Sequence, residues 1–487
     1  MIARRLEVLL AVPALLFLGM LLAMPGDERH VAAPAFACLF LAWALWTALS
    51  DRNGEPPVVD VGMLCAVATT LYSVYPLVNY WIDGMQFGIL SDTRLYNYDI
   101  QPDEIGAFHW RNVTYLASFA AAYYFSGRRG RTGAVPVDPP DGATVRAVLV
   151  VFVSLMAFFL VLRIFFGVTY NASYEEGAFG RSQAAVQALP LFLRQVASKF
   201  LGILFVAKTW LMCYVVSRSR ERRWRWILFG WIAAETVQVL VVKGARTEFV
   251  LLSMGAALFY NLMVRRLSSR TMAIAAAALF LFFLFLGLYR TFLDVASLSA
   301  GLEESETSVF ATGNEFQSLF GTAYDVLQLK EGGTVLPWYL RINDFVNILP
   351  PQQLLPFEKV SAAEWYLREI DLSGTGAGFM WGVIAQSIVG FDWIELAIRG
   401  ALLGFLLARF HLWYSNRRSS FPSTVLYVFL CIKIYYTYRD TTFSLLTNLA
   451  WEVLPMWAAV ELLRRRHDVR SRPAPGGGEP LAAEARP

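Results

Sequence analysis

Apolar residues run along this chain in blocks long enough to cross a bilayer, separated by short polar joints. A helix needs about 20 apolar residues to span the hydrocarbon. Blocks of that kind lie near 6–24, 31–49, 58–80, 107–126, 145–167, 189–216, 224–242, 247–264 and 271–292. After a long polar stretch come 390–414, 422–438 and 445–463. The pattern predicts an all-α polytopic membrane protein of about 12 transmembrane helices. The first block follows Met-Ile-Ala-Arg-Arg; it is too long for a signal-peptide core, and no small-x-small cleavage site follows, so it reads as a first span.

Composition agrees. The 487 residues are 56% apolar and 16% charged, with a mean hydropathy of +0.46. A soluble domain is nearer a quarter charged. Fifteen Trp and 21 Tyr suit a protein with two interfaces to anchor. The net charge of +4 is spread over short loops and sets topology; it excludes nucleic acid as a partner. All four cysteines fall within apolar blocks, without metal-ligand spacing.

Orientation follows from arginine. Arg4-Arg5, Arg128-Arg129-Arg131, the run from Arg218 to Arg225, Arg265-Arg266, Arg417-Arg418 and Arg464-Arg465-Arg466 share one side. The positive-inside rule makes that side cytoplasmic, with both termini inside. Counting 376–389 as a further span would send the last two clusters outside, so it reads as an interfacial or re-entrant segment of the outer face. The chain then divides into helices 1–9 over 1–292, a large outer loop with that segment over 293–389, helices 10–12 over 390–463, and a disordered cytoplasmic tail over 464–487. Outer loops also lie near 81–106 and 168–188. The large one is too long for a plain connection. Within it, Phe310, Phe316, Leu319, Phe320, Val326 and Leu327 recur at helical spacing, which predicts an amphipathic helix over 308–330.

Cations stand where this topology should have few. Arg194 and Lys199 lie near the outer end of the sixth span, Lys243 and Arg246 at the turn between the seventh and eighth, and Arg290 at the outer end of the ninth. Lys433 lies within the eleventh and Arg439 just beyond it. The plain reading is snorkelling to lipid headgroups. The sharper one is a cationic funnel for a diphosphate, with Arg as a bidentate fork and Lys as a point charge. Gly244 lets backbone approach, and the following helix N-terminus adds amides. Acids accompany the cations. Glu235 sits mid-span, either as a functional group or as a partner for Lys208. Glu248, Asp294 and Asp440 each follow an Arg, and each either neutralises it or acts on a hydroxyl. His109 and Arg111 open the fourth span, where a lone His is more often structural. The sequence holds no nucleotide-binding P-loop and no nucleophile elbow. The first outer loop, 25–30, lacks spaced acids for a divalent ion, and Glu369-Ile-Asp371 is a poor substitute, so no metal or other cofactor is expected.

From the seventh span onward the chain resembles the O-antigen polymerases, the Wzy-type oligosaccharide repeat unit polymerases of bacterial membranes. The resemblance rests on Gly244-Ala245-Arg246 opening a helix, Tyr289-Arg290 ending the ninth, and Asn314-Glu315-Phe316, Leu349-Pro350 and Gly376 to Gly378 in the outer loop. A short helix ending at Gly390, a span with Gly400 and Gly404, and Arg439-Asp440-Thr441-Thr442-Phe443-Ser444 complete it. It covers about 225–465, and Lys243 departs from the usual small or polar residue.

The resemblance implies a metal- and nucleotide-independent glycosyltransferase of the bacterial inner membrane, with its site facing the periplasm or exterior. Donor and acceptor would both be undecaprenyl-pyrophosphate-linked oligosaccharides, with membrane lipid and a chain-length regulator protein as further partners. Arg246, Arg290 and Arg439 would stabilise the leaving pyrophosphate, with Glu248 or Asp440 as base. Lys243, Arg194, Lys199, Arg341 and Asp344 would contact diphosphate, glycan or acceptor. Two other classes share the pattern: an O-antigen ligase-like transferase with the same donor, and a lipid-linked oligosaccharide flippase or other transporter.

Overall fold

In the computed structural model of the chain, the described residues are 2–53, 60–83, 101–127, 140–166, 191–242, 246–268, 270–271, 274–275, 278, 281, 315–349, 362–369, 381–417 and 420–471. Among them, structure is helical throughout. The order is α1 (Ile2–Ala23), α2 (Gly26–Asn53), α3 (Val61–Asp83), α4 (Pro102–Ser126), α5 (Gly142–Phe166), α6 (Leu191–Ser217), α7 (Arg222–Val242) and α8 (Arg246–Phe259), the last extended by a π turn at Tyr260–Val264. The stretch expected to be the large loop supplies α9 (Glu315–Glu331), a 3-10 turn at Trp338–Ile342, α10 (Asn343–Ile348), α11 (Ala362–Glu369) and α12 (Gly382–Val389). Then follow α13 (Trp393–Ser415), α14 (Phe421–Lys433), α15 (Tyr436–Arg439), α16 (Ser444–Asn448), a π turn at Leu449–Val453 and α17 (Leu454–Ser471).

Helices thus occupy each expected span except the ninth, most of which lies outside the described residues. Two of them, over Gly26–Asp51 and Gly142–Phe165, are long and apolar enough to cross a membrane. Shorter apolar helices cover Leu10–Ala23, Val61–Tyr75, Gly202–Ser217, Glu248–Val264 and Phe421–Lys433. The expected eleventh span is broken after Lys433 and resumes as α15. This break leaves Lys433 and Arg439 each in the last turn of a helix, where the helix dipole favours a cation. The last helix runs on to Ser471, past the expected start of the tail at 464; residues 472–487 lie outside the described ones.

Local chemistry explains several helix starts. Asp60 caps α3, its Oδ1 accepting from the backbone N–H groups of Gly62 at 2.9 Å and Met63 at 3.1 Å. Asp141 does the same for α5 through Thr144 N at 3.0 Å. Pro102 opens α4, where its missing N–H costs nothing. Of the amphipathic helix expected over 308–330, the part from Glu315 on is α9, buried from Leu319 to Val326; 308–314, with Phe310, lie outside the described residues. Segment 376–389 yields α12, whose residues Gly382 to Ile388 are all buried, so it enters the bundle rather than resting on its surface; 376–380 lie outside the described residues.

The seam between α4 and α13 is the most extensive helix contact among the described residues. Gly400 and Gly404 stand one turn apart on α13, the small-xxx-small spacing that lets backbones approach. A Cβ added at Gly400 would stand 2.5 Å from Tyr115 O, and one at Gly404 would press on Phe119 O while standing 3.0 Å from Tyr123 N. We expect Gly404→Val to prise these helices apart and cost about 1–3 kcal/mol, the usual penalty of overpacking. Thermal unfolding of purified protein measures it; an unchanged midpoint would refute the seam's tightness.

Helix ends meet in register. At the end read as outer, Arg111 of α4 forms a bidentate pair with Asp392 at 2.7 and 2.8 Å, and Tyr438 donates to Asn112. Asp392 has φ +52, a strained backbone for a non-glycine residue, and this ion pair and its N–H bond to Ser387 O at 2.8 Å hold it there. At the other end, Asp60 accepts from Tyr123 OH at 2.6 Å and faces His411 at 3.6 Å, while His411 bonds Tyr427 OH at 2.8 Å.

Candidate functional site

The short helices between α8 and α13 are fastened to the bundle by a buried charge network. Asp344, on α10, is 1% exposed and turns inward. Its Oδ2 accepts from Arg399 Nη1 at 2.9 Å and Gln386 Nε2 at 2.8 Å, and its Oδ1 accepts from the backbone N–H of Phe443 at 2.9 Å. Arg399, on α13, also donates to Glu395 Oε1 at 2.7 and 3.0 Å and to Arg341 O. Glu395 Oε2 in turn accepts from Arg341 Nε at 3.2 Å. The two arginines and two acids balance, which is what makes such burial tolerable. Arg341 also stacks 4.4 Å over the Phe391 ring. On the other flank, Lys330 of α9 donates to Ile388 O and Gly390 O at the end of α12.

The turn this network holds carries Arg439 and Asp440. Asp344 reaches Phe443 N just beyond them, and Arg399 Nη1 lies 3.5 Å from Thr442 Oγ1. Arg439 is half-buried, bonds Tyr435 OH at 3.0 Å and sits 5.7 Å over both the Tyr435 and Tyr436 rings. The Tyr436 ring also lies 5.0 Å from Lys433 Nζ, so one aromatic face serves two cations. Lys433 is further walled by Phe205 at 4.7 Å and faces Glu452 at 3.6 Å. Asp440 reaches solvent, yet protein crowds it from the other sides. That desolvation, with the charge of Asp344, raises its carboxyl to about 6 against a pull downward from Arg439.

A second cluster joins three helices. Lys208 of α6, 6% exposed, pairs with Glu235 of α7 at 3.2 Å and Glu248 of α8 at 3.0 Å. The mid-span Glu235 therefore has the partner weighed for it. Glu248 engages Lys208, one helix away, so its carboxylate is already committed to an ion pair. His109 is packed: its Nδ1 meets Asn112 Nδ2 at 3.0 Å, and its ring stacks on Phe320 at 5.1 Å.

Of the residues singled out beforehand, Arg439 and Asp440 are side by side, and Arg341 and Asp344 join the network beneath them. Asp344 is a buried brace, and Arg341, still partly exposed, pairs with Glu395. Arg246 begins α8, and Arg194 and Lys199 lie on the first turns of α6, all three with side chains outside the described ones. Lys243, Arg290 and Asp294 lie outside the described residues altogether. Sequence reading missed Arg399, Glu395 and Gln386. Arg399 and Glu395 were detectable, being an i,i+4 ion pair inside an otherwise apolar segment. Among the described residues, no group of three or more His, Cys, Asp or Glu side chains could hold a metal ion.

Comparison with known proteins finds no matching family model, no matching curated protein and no matching solved structure.

Proposed function

We propose that the chain is a membrane glycosyltransferase that polymerises undecaprenyl-pyrophosphate-linked repeat units at the outer leaflet of a bacterial inner membrane. The observation that carries this reading is the Asp344 latch: a buried acid of the outer loop grips the backbone beside the Arg439-Asp440 turn. A transferase of this kind needs its diphosphate-binding cation and its base held rigidly under a cap, and the latch does that. Arg439, with Arg246 and Arg290 and assisted by Lys243, neutralises the leaving diphosphate. Asp440 takes the proton of the attacking sugar hydroxyl. The anomeric carbon exchanges its bond to the phosphate oxygen for one to the acceptor oxygen, and undecaprenyl pyrophosphate departs. Glu248, paired with Lys208, serves structure rather than proton transfer.

If Asp440 is the base, transfer needs it ionised. The rate is expected to climb between pH 5 and 7 with a midpoint near its value of about 6, and Asp440→Asn is expected to remove that limb together with most activity. The stability effect has the opposite sense. The folded-state value lies above the ordinary 3.8, so the neutral form's contribution is complete below 3.8 and is lost as pH rises through about 6. Asp440→Asn should therefore unfold at a higher temperature than wild type at pH 7.5 and at the same temperature at pH 3.5. A pH–rate profile that does not change on this substitution would remove Asp440 from the mechanism.

Glycan analysis of a deletion strain tests the function itself. Loss of a polymerase leaves a single repeat unit attached to its acceptor. Long chains stranded on undecaprenyl pyrophosphate would instead identify a ligase. The Lys208–Glu235–Glu248 cluster favours a second reading, a transporter of lipid-linked oligosaccharide, because charges buried between helices often mark a translocation path. Accumulation of unflipped units on the cytoplasmic side in the deletion strain would support that reading.

A further inference from the structure

Within the segment 335–348, four apolar side chains face outward while an acid is buried. Leu340 and the charged Asp344 are buried against the bundle, while Val335, Trp338, Ile342 and Phe345 face outward. Trp338 is 70% and Phe345 54% exposed. A loop bathed in water would turn these around, because aromatic surface is costly to hydrate and a carboxylate is costly to bury. Segments in contact with hydrocarbon show this arrangement, with ionisable groups inward and apolar groups outward.

This face does not stop at the loop. The Phe345 ring lies 6.3 Å from that of Phe443, and Leu446, one turn further along α16, is again exposed. Trp451 Nε1 donates to Ile348 O at 3.1 Å, pinning the end of α10 to the π turn that follows α16. The apolar strip therefore runs from Trp338 through Phe345 to Phe443 and Leu446. Arg439 and Asp440 lie just before Phe443 in the chain, at the strip's polar end. A ligand matching both parts has a long hydrocarbon tail and an anionic head.

Resting on the function proposed above, we infer that this strip is the seat of the polyprenyl tail of the lipid-linked substrate, with its diphosphate at Arg439. The tail covers Trp338, Ile342 and Phe345, and the Asp344–Arg399 network fixes the strip relative to the cation that holds the head. Branched, unsaturated isoprene units pack well on flat aromatic faces, and the surface they cover supplies binding energy remote from the reacting bond.

Photolabelling tests this. Purified full-length protein in phosphatidylglycerol-containing nanodiscs is irradiated with geranylgeranyl diphosphate bearing a terminal benzophenone, and the labelled peptides are mapped. We expect labels within 335–348 and 443–446, displaced by unmodified geranylgeranyl diphosphate but not by added phosphatidylglycerol. The variant W338Q/F345Q should lower this labelling by about tenfold, the loss expected from removing two aromatic contacts. If that variant does not fold, the wild-type map carries the test alone. Labels displaced equally by phosphatidylglycerol, or placed elsewhere on the protein, would overturn the inference. The two claims fail separately: competed labelling on the strip without glycosyl transfer refutes the polymerase reading and leaves the seat standing. Glycosyl transfer with labels elsewhere does the reverse.

Discussion

Replacing Arg399 by Met is expected to destabilise the folded protein by about 3–5 kcal/mol, the usual cost of stripping a buried charge of its partner. Asp344 is 1% exposed and would lose the guanidinium that now lies 2.9 Å away. Glu395 would lose two hydrogen bonds in the same step. The four buried cysteines, Cys38, Cys65, Cys213 and Cys431, supply a ready readout, since a thiol-reactive dye reports their exposure on heating. The double variant D344L/R399M should recover part of the lost stability, because the Asp344 charge leaves with its partner while Glu395 keeps Arg341 and the Phe391 N–H. It should nevertheless remain inactive, since the Phe443 backbone bond that braces the Arg439-Asp440 turn is gone. Full activity in the double variant would show that the latch does not position the turn.

Arg439→Ala is expected to lower polymer formation by about 100- to 1000-fold, the range seen when one preorganised anion-stabilising donor is removed. Arg439 is half-buried and outside the charge-balanced network, so protein abundance and melting temperature should move little. Arg439→Lys should restore only part of the activity, because an ammonium cannot give the bidentate fork that a diphosphate accepts. Wild-type glycan length in the Ala variant would exclude Arg439 from the site.

The helical plan was readable because hydrophobic periodicity is local. The pattern Leu319, Phe320, Val326 and Leu327 needed only its own neighbours to become α9, and a mid-span acid such as Glu235 announced that it needed a cation. Partner choice was less readable because it is long-range. Asp344 reaches Arg399 across 55 positions and Phe443 across 99, and nothing in either stretch names the other. Asp344 lies in a long polar stretch, where charge ordinarily meets solvent, and only the packing of α10 onto the bundle turns it inward. The same lack of local information hid the break after Lys433. Residues 422–438 carry no charge apart from that lysine, and hydropathy alone draws one span through them. Glu248 shows the same long range: its carboxylate pairs with Lys208, 40 positions away on a neighbouring helix.

The central claim is chemical, and one assay reaches it directly. Purified protein in nanodiscs, given two lipid-linked repeat units and no nucleotide or added metal, should produce a glycan of two units on one lipid and release one undecaprenyl pyrophosphate for each bond formed. The Arg439→Ala protein should yield neither. Unchanged lipid-linked units after incubation with active, folded wild-type protein would contradict the account.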